Sequence, residues 1–248
     1  MQLSDFFISH PRLAIAFSGG VDSAYLLYTA KTAGCDVHAY LIHSQFQPQF
    51  EQDDAQRLAE MLGVPLTILD CDVLSEPAVA ANDALRCYHC KRALFARLWQ
   101  AVRADGYDVL CDGTNASDEA ADRPGMRALG ELGVLSPLRI CGLTKTEIRA
   151  LSKQAGLFTH DKPAYACLAT RIPTGMPITQ AVLERVERAE NALFALGFTD
   201  FRVRVLDDNR AKLQAPAAQL VCIIELREQI LSALSPDFED ILLDLRAR

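Results

Sequence analysis

The chain has 248 residues, half of them apolar and 23% charged, an ordinary balance for a globular enzyme with a sizeable core and long enough for two domains. Its formal net charge of −7 speaks against a broad nucleic-acid surface, because phosphate backbones demand a net basic face; only a local basic patch stays open. No apolar run approaches membrane-spanning length, and the start Met1-Gln2-Leu3-Ser4-Asp5 carries an acid where a leader would carry bases. A cytoplasmic location is therefore expected, in which eight cysteines are not a disulfide framework.

In chain order, Leu13–Phe17 reads as the first strand, and Ala24-Tyr25-Leu26-Leu27-Tyr28 as the body of the helix that follows it. Val37–Ile42, Leu66–Leu69 and Val109–Cys111 read as further strands, with Asp53–Leu62 and Lys91–Ala104 as covering helices. Thr144-Lys145-Thr146-Glu147 is a capping box that opens another helix, ended by Gly156. The strand runs hardly alternate, which suits burial on both faces. These elements predict an α/β fold, a doubly wound parallel sheet, over residues 1–165. Asp161–Pro177 carries Pro163, Pro173, Pro177 and Gly175 without a period. It reads as a joining loop that bears Cys167. Residues 178–248 form a smaller C-terminal α/β domain. Its helix is striped by Val182, Val186, Ala189, Leu193 and Leu196 and stopped by Gly197; Phe201–Leu206 and Arg210–Gln214 then make a hairpin around Asp207-Asp208-Asn209. A helix over Gln219–Leu234 and a last strand over Ile241–Leu245 complete it.

Between the first strand and its helix stands Ser18-Gly19-Gly20-Val21-Asp22-Ser23. Paired glycines let backbone approach a ligand with no Cβ in the way. The helix start then presents unpaired N–H groups and the positive end of its dipole. Ser18 and Ser23 add hydroxyls, and Asp22 is a magnesium ligand or a helix cap. This is a phosphate cradle, but neither of the Walker type nor of the dinucleotide type, whose glycine spacings differ. Beyond the carboxyl ends of parallel strands ligands collect, which puts His43-Ser44 and Asp112-Gly113-Thr114-Asn115-Ala116-Ser117-Asp118 on the same rim. Asp112, Gly113, Thr114 and Asn115 suit a nucleotide or magnesium, with a plain surface turn as the alternative.

Cys87-Tyr88-His89-Cys90 places two thiols within reach of one metal, and Cys167 lies in Ala166-Cys167-Leu168-Ala169-Thr170-Arg171. The spacing alone allows a redox pair, half a zinc site completed by His89 and His160, or part of an iron–sulfur site. Cys35, Cys71, Cys111, Cys141 and Cys222 sit in or beside apolar segments and read as small core residues. Arg202 and Arg204 alternate on one strand face; with Arg171 they suit phosphate or carboxylate, or simply form a solvated face.

The glycine turn resembles the PP-loop of the N-type ATP pyrophosphatases, enzymes of the adenine nucleotide alpha hydrolase-like fold. The chain as a whole resembles one family among them, the LarE-type ATP-dependent sulfur transferases of nickel-pincer cofactor biosynthesis. The stretches that carry the likeness are Phe17–Ser23, Asp112–Asn115, Arg123-Pro124-Gly125, Ser136-Pro137-Leu138, Gly142-Leu143-Thr144-Lys145 and Cys167-Leu168-Ala169-Thr170-Arg171. Glu190, Gly197-Phe198 and Arg202-Val203-Arg204 extend it into the smaller domain. The resemblance implies that ATP adenylates a carboxylate of a pyridinium dicarboxylate mononucleotide, and that a sulfur nucleophile then displaces AMP to leave a thiocarboxylate. It implies ATP and magnesium at Ser18, Gly19, Gly20, Val21, Asp22, Ser23, Asp112, Gly113, Thr114 and Asn115, and the strand-end placement adds Ser44 to the same cofactor site. It further implies a 4Fe–4S cluster on Cys87, Cys90 and Cys167, although in some members the residue matching Cys167 gives up its own sulfur. Arg171, Glu190, Arg202 and Arg204 match positions that line the substrate and phosphate site. A sulfur donor of unknown identity and a homo-oligomer are implied as well. Gln214 departs from the family, which often has an acid there to bind metal.

Two other readings fit parts of the chain: another PP-loop enzyme, either a tRNA thiolase or an ammonia-dependent synthetase, and a regulatory module. A tRNA thiolase would share the cysteines but demands a basic footprint, and an ammonia-dependent synthetase would need its ammonia from a separate subunit. A regulatory nucleotide-binding module without turnover would leave the cysteines unexplained.

Overall fold

The structure, a computed structural model, describes residues 2–118, 124–207 and 209–246; Arg123 and Asp208, both named above, lie outside the described residues. The chain forms two compact units, one of Met1–Glu76 with Leu85–Lys162 and one of Pro77–Ala84 with Pro163–Arg248. In chain order the elements are α1 (Leu3–Ser9), β1 (Arg12–Ala16), α2 (Val21–Thr32), β2 (Asp36–His43), α3 (Gln49–Leu62), β3 (Leu66–Asp70) and α4 (Pro77–Ala80). They continue with α5 (Arg86–Ala104), β4 (Leu110–Cys111), α6 (Pro124–Glu131), α7 (Pro137–Ile140) and α8 (Lys145–Gln154). The last group is α9 (Gln180–Ala195), β5 (Arg202–Val205), β6 (Arg210–Gln214), α10 (Leu220–Glu225), α11 (Arg227–Leu234) and β7 (Asp240–Leu243).

In the larger unit the sheet runs β3-β2-β1-β4, and every pairing is parallel, with Leu13 opposite Val37 and Ile15 opposite Cys111. Parallel strands need crossovers, and helices on both faces supply them. Leu13, Ile15, Val37, Ala39 and Leu41 face a core completed by Leu26, Leu27, Leu58 and Ile148. Ala14, Tyr40 and Ile42, one residue out of phase, face a second core with Leu98, Val102 and Leu129. Burial of both phases explains why the strands read as unbroken apolar runs. The helices α3 and α5 begin earlier than their periodic patterns suggest, at Gln49 and Arg86, because their first turns carry polar residues that leave no apolar stripe. Cys87 and Cys90 therefore lie on a helix.

The smaller unit holds the sheet β5-β6-β7. Its β5–β6 hairpin is antiparallel, with Arg202 opposite Gln214, and β7 joins parallel to β6. The buried face of α9 carries Leu183, Val186, Ala189, Glu190 and Leu193, so a carboxylate stands within the apolar stripe. The helix expected over Gln219–Leu234 is interrupted at Leu226, which leaves helical geometry between α10 and α11. Within this unit α4 is tied to the loop before α9. Asn82 is fully buried at a φ of 54°, and its side-chain amide donates to Pro173 O at 2.8 Å and Met176 O at 2.9 Å. Among the described residues no helix is long and apolar enough to cross a membrane.

Candidate active site

Gly19 has a φ of 69°, a backbone conformation that side chains rarely adopt, and a Cβ there would lie 3.0 Å from Glu51 O and 3.1 Å from Ala55 Cβ. The chain thus turns sharply out of β1, and Gly20 returns to extended geometry as the residue before α2. No side chain caps α2, so its first N–H groups point at whatever occupies the turn. Ser18 Oγ and Ser23 Oγ lie 3.1 Å apart, and Ser23 Oγ donates to Gly20 O at 3.2 Å, which draws the turn into a ring.

A cavity of about 260 Å³ opens on this ring, lined by Ser18, Gly20, Asp22 and Ser23 on one side and by Asp112, Gly113, Thr114 and Asp118 on the other. The two sides touch through backbone. A Cβ on Gly113 would sit 2.8 Å from Ser23 N and 3.1 Å from Ser23 Cα, so only glycine fits. Asp112 organises its own turn: its carboxylate accepts from Thr114 Oγ1 at 2.6 Å, Ser136 Oγ at 2.7 Å and Thr114 N at 3.3 Å. Asn115 accepts from Ser117 N at 2.8 Å, and its own N–H donates to Asp118 at 3.0 Å. Val21 is buried in the core. Ser44, at the end of β2, donates to Gln47 Oε1 at 2.9 Å and is not among the residues lining this cavity.

Asp22 is the acid best placed for a cation. Its Oδ2 lies 2.5 Å from Lys145 Nζ, while Oδ1 is buried with no hydrogen-bond partner. A buried carboxylate oxygen without a donor is costly unless a ligand completes it, and a hard oxygen beside a phosphate cradle suits magnesium. Lys145 owes its position to the capping box of α8, in which Thr144 N donates to Glu147 Oε2 at 2.8 Å, and to Ser117 Oγ, which accepts from Lys145 N at 2.9 Å. Lys91 and Phe95 of α5 also line the cavity. Sequence reasoning assigned none of these three residues to the site. The signal for Lys145 was its place at the first turn of a capping-box helix. For Lys91 it was adjacency to Cys90, and Gly125 admits its stem, since a Cβ there would meet Lys91 Cδ at 3.1 Å.

Cys87 and Cys90 stand one turn apart on α5, hence on one face; Cys87 is exposed and Cys90 half-buried. Cys167, half-buried, belongs to the smaller unit and precedes a short 3-10 turn over Leu168–Arg171. Among the described residues no group of three or more His, Cys, Asp or Glu side chains is arranged to hold a metal ion. None of the eight cysteines is in a disulfide. Cys111 is buried, and Cys35, Cys71 and Cys141 are partly so, but Cys222 is exposed. That corrects its reading as a core residue: α10 turns only Ile223 of its apolar run inward.

In the smaller unit Arg202 is buried and Arg204 half-buried, so they are not a solvated face. Arg202 donates to Phe201 O at 2.5 Å and to Ala164 O at 2.6 Å. Arg204 donates to Thr170 O at 2.7 Å and, through Nε, to Gln214 Oε1. Arg171 and Glu190, both buried, form a two-pronged ion pair at 2.9 Å on each prong. Gln214 also donates to Asp244 Oδ2 at 2.8 Å, and this bond, with Lys212 3.0 Å away, holds the Asp244 carboxyl down at about 2.

Residues 12–86 match the family model described as queuosine biosynthesis protein QueC. An uncharacterized protein of Synechocystis sp. is 37% identical over 88% of this chain and 82% of its own length. The pyridinium-3,5-bisthiocarboxylic acid mononucleotide synthase of Lactiplantibacillus plantarum is 32% identical over 94% of this chain and 86% of its own. The tRNA-specific 2-thiouridylase MnmA of Thermotoga petrophila is 27% identical over 61% of this chain and 54% of its own. With a PP-loop on a parallel sheet and a relative of that identity along nearly its whole length, the chain belongs to the LarE-type family of ATP-dependent sulfur transferases.

Proposed function

We propose that this chain activates a carboxylate of a pyridinium dicarboxylate mononucleotide with ATP and replaces one carboxylate oxygen by sulfur. The observation that carries the first half is the cavity where the uncapped start of α2, the Ser18 and Ser23 hydroxyls and the unpartnered Asp22 oxygen meet. ATP phosphates lie against the α2 start, and Asp22 holds magnesium. A substrate carboxylate oxygen attacks the α-phosphorus, pyrophosphate leaves, and Lys145 and Lys91 offset the negative charge that develops. A carboxylate is a poor electrophile; as an acyl adenylate it carries a good leaving group. Sulfur attacks the acyl carbon, the bond to AMP breaks, and a thiocarboxylate remains. The attacking sulfur is a sulfide, and Cys167, the thiol of the loop ahead of Arg171, is one of the thiolates that would hold the group supplying it.

We assign Cys87, Cys90 and Cys167 as thiolate ligands of a 4Fe–4S cluster, since thiolates favour iron and two of them share one helix face. Such a cluster, when bound, supplies an exchangeable sulfide, so that no protein sulfur is consumed. Anaerobic reconstitution is then expected to give about four irons and four sulfides per chain, with most of both lost in Cys87→Ala. A Cys167 lighter by one hydrogen sulfide after turnover, together with an active Cys87→Ala/Cys90→Ala variant, would instead establish a sacrificial cysteine.

Gly113→Ala tests the cradle. Its new Cβ has no room against Ser23 N, and overpacking of this kind costs about 1–3 kcal/mol. Thermal unfolding with and without ATP is expected to show a lower Tm and a smaller rise on adding nucleotide. An undiminished ATP-dependent rise would remove Gly113 from the nucleotide site.

A further inference from the structure

The loop that bears Cys167 is gripped through its backbone carbonyls by three arginines of its own unit. Arg202 takes Ala164 O at 2.6 Å, and Arg204 takes Thr170 O at 2.7 Å. Arg171 Nη1 takes Ala166 O at 2.7 Å, Cys167 O at 3.4 Å and Thr170 Oγ1 at 3.0 Å. The rest of the Arg171 fork is fixed by Glu190, which also accepts from Val203 N at 2.9 Å and from the Tyr165 hydroxyl. The Tyr165 ring lies beneath Arg171 and Arg202, with guanidinium carbons 4.5 and 5.1 Å from its centroid. Burial and the Glu190 charge both raise the Tyr165 pKa, so its hydroxyl stays a donor.

A buried ion pair is a weak way to stabilise a fold, because apolar residues of similar volume do as well or better. Its advantage is geometric: a rigid guanidinium fork binds two partners at set angles. Here one prong pair is held by Glu190 on α9 and the remaining nitrogen by the Ala166 and Cys167 carbonyls, the two that flank the Cys167 Cα. We propose that Glu190 and Arg171 are positioning residues for Cys167, fixing the sulfur-bearing loop on α9 and β5. This rests on Cys167 as the sulfur-handling residue, and it assigns Arg171 to the loop rather than to an anionic substrate.

The test is the reactivity and mobility of the loop in the full chain. In the full chain before any reconstitution with iron and sulfide, iodoacetamide alkylation of Cys167 is read by peptide mass, with exposed Cys222 as internal reference. Amide hydrogen exchange is read over residues 163–172, with α9 as the control for folding. In Arg171→Met/Glu190→Leu, alkylation of Cys167 is expected to rise about tenfold or more, with loss of exchange protection confined to the loop. Arg171→Lys keeps the charge opposite Glu190 but cannot fork, so the loop is expected to loosen as it does in the double variant. Tyr165→Phe, which removes one bond to Glu190, is expected to have a smaller effect in the same direction. Should the double variant lose protection in α9 as well, the Lys and Phe variants decide. Parental alkylation and exchange in the folded double variant, or in Arg171→Lys, would overturn the proposal. None of these readouts depends on turnover. A Cys167→Ala chain that still made thiocarboxylate would therefore remove the sulfur reading while leaving the loop measurements intact.

Discussion

Replacing Asp22 with alanine is expected to lower conversion of ATP to AMP and pyrophosphate by about a thousandfold. A bound metal offsets several kcal/mol of transition-state charge, and each 1.36 kcal/mol is about a factor of ten in rate. Asp22 combines an ion pair to Lys145 with a buried oxygen that lacks any donor, so alanine removes the ligand proposed for magnesium and also leaves Lys145 without its acid. The fold is expected to survive, because Asp22 lies in the first turn of α2 while the helix is held by Leu26, Leu27 and Ala30 in the core. Pyrophosphate release measured with the mononucleotide present, beside a circular dichroism spectrum, checks both parts. A folded variant that releases pyrophosphate at the parental rate would move the metal and the phosphates away from this turn.

Cys167→Ala is expected to cut thiocarboxylate formation by a factor on the order of 10⁴ or more, the scale seen when one member of a group acting as a unit is removed, because the proposed cluster would lose a thiolate and with it the sulfide it supplies. The change falls in the second half of the reaction, whereas Asp22 acts in the first. Following pyrophosphate and thiocarboxylate separately therefore distinguishes the two variants: Asp22→Ala loses both products, and Cys167→Ala loses the sulfur product. Thiocarboxylate formed by Cys167→Ala over repeated turnovers would transfer the sulfur role to another thiol.

The parallel sheet and its phosphate turn were legible from sequence because each depends on local order. Strands buried on both faces must be apolar throughout, and Ser18–Ser23 sits directly between Leu13–Phe17 and a helix. The capping box at Thr144–Glu147 was legible for the same reason, since its bonds span three residues. Element edges were less so: α3 and α5 start in polar turns, and the break at Leu226 leaves no mark in an apolar helical pattern.

The cysteines, arginines and Asp112 illustrate the limit. Sequence by itself determined that thiols, guanidinium groups and carboxylates were present at spacings that suit metal, phosphate and nucleotide. Which partner each group takes was decided by tertiary structure, because the partners are distant in sequence. Asp22 meets Lys145 across 123 positions, Arg204 meets Thr170 across 34, and Asn82 meets Met176 across 94. Asp112, read as suiting a nucleotide or magnesium, lines the cavity and accepts from Ser136 and Thr114, and a buried oxygen without a partner lies on Asp22. Glu190 shows the same division. Its helical stripe was readable, but that a carboxylate could sit inside it followed only from Arg171, Tyr165 and Val203 arriving from elsewhere to satisfy every oxygen, since a buried charge persists only where the fold supplies its partners.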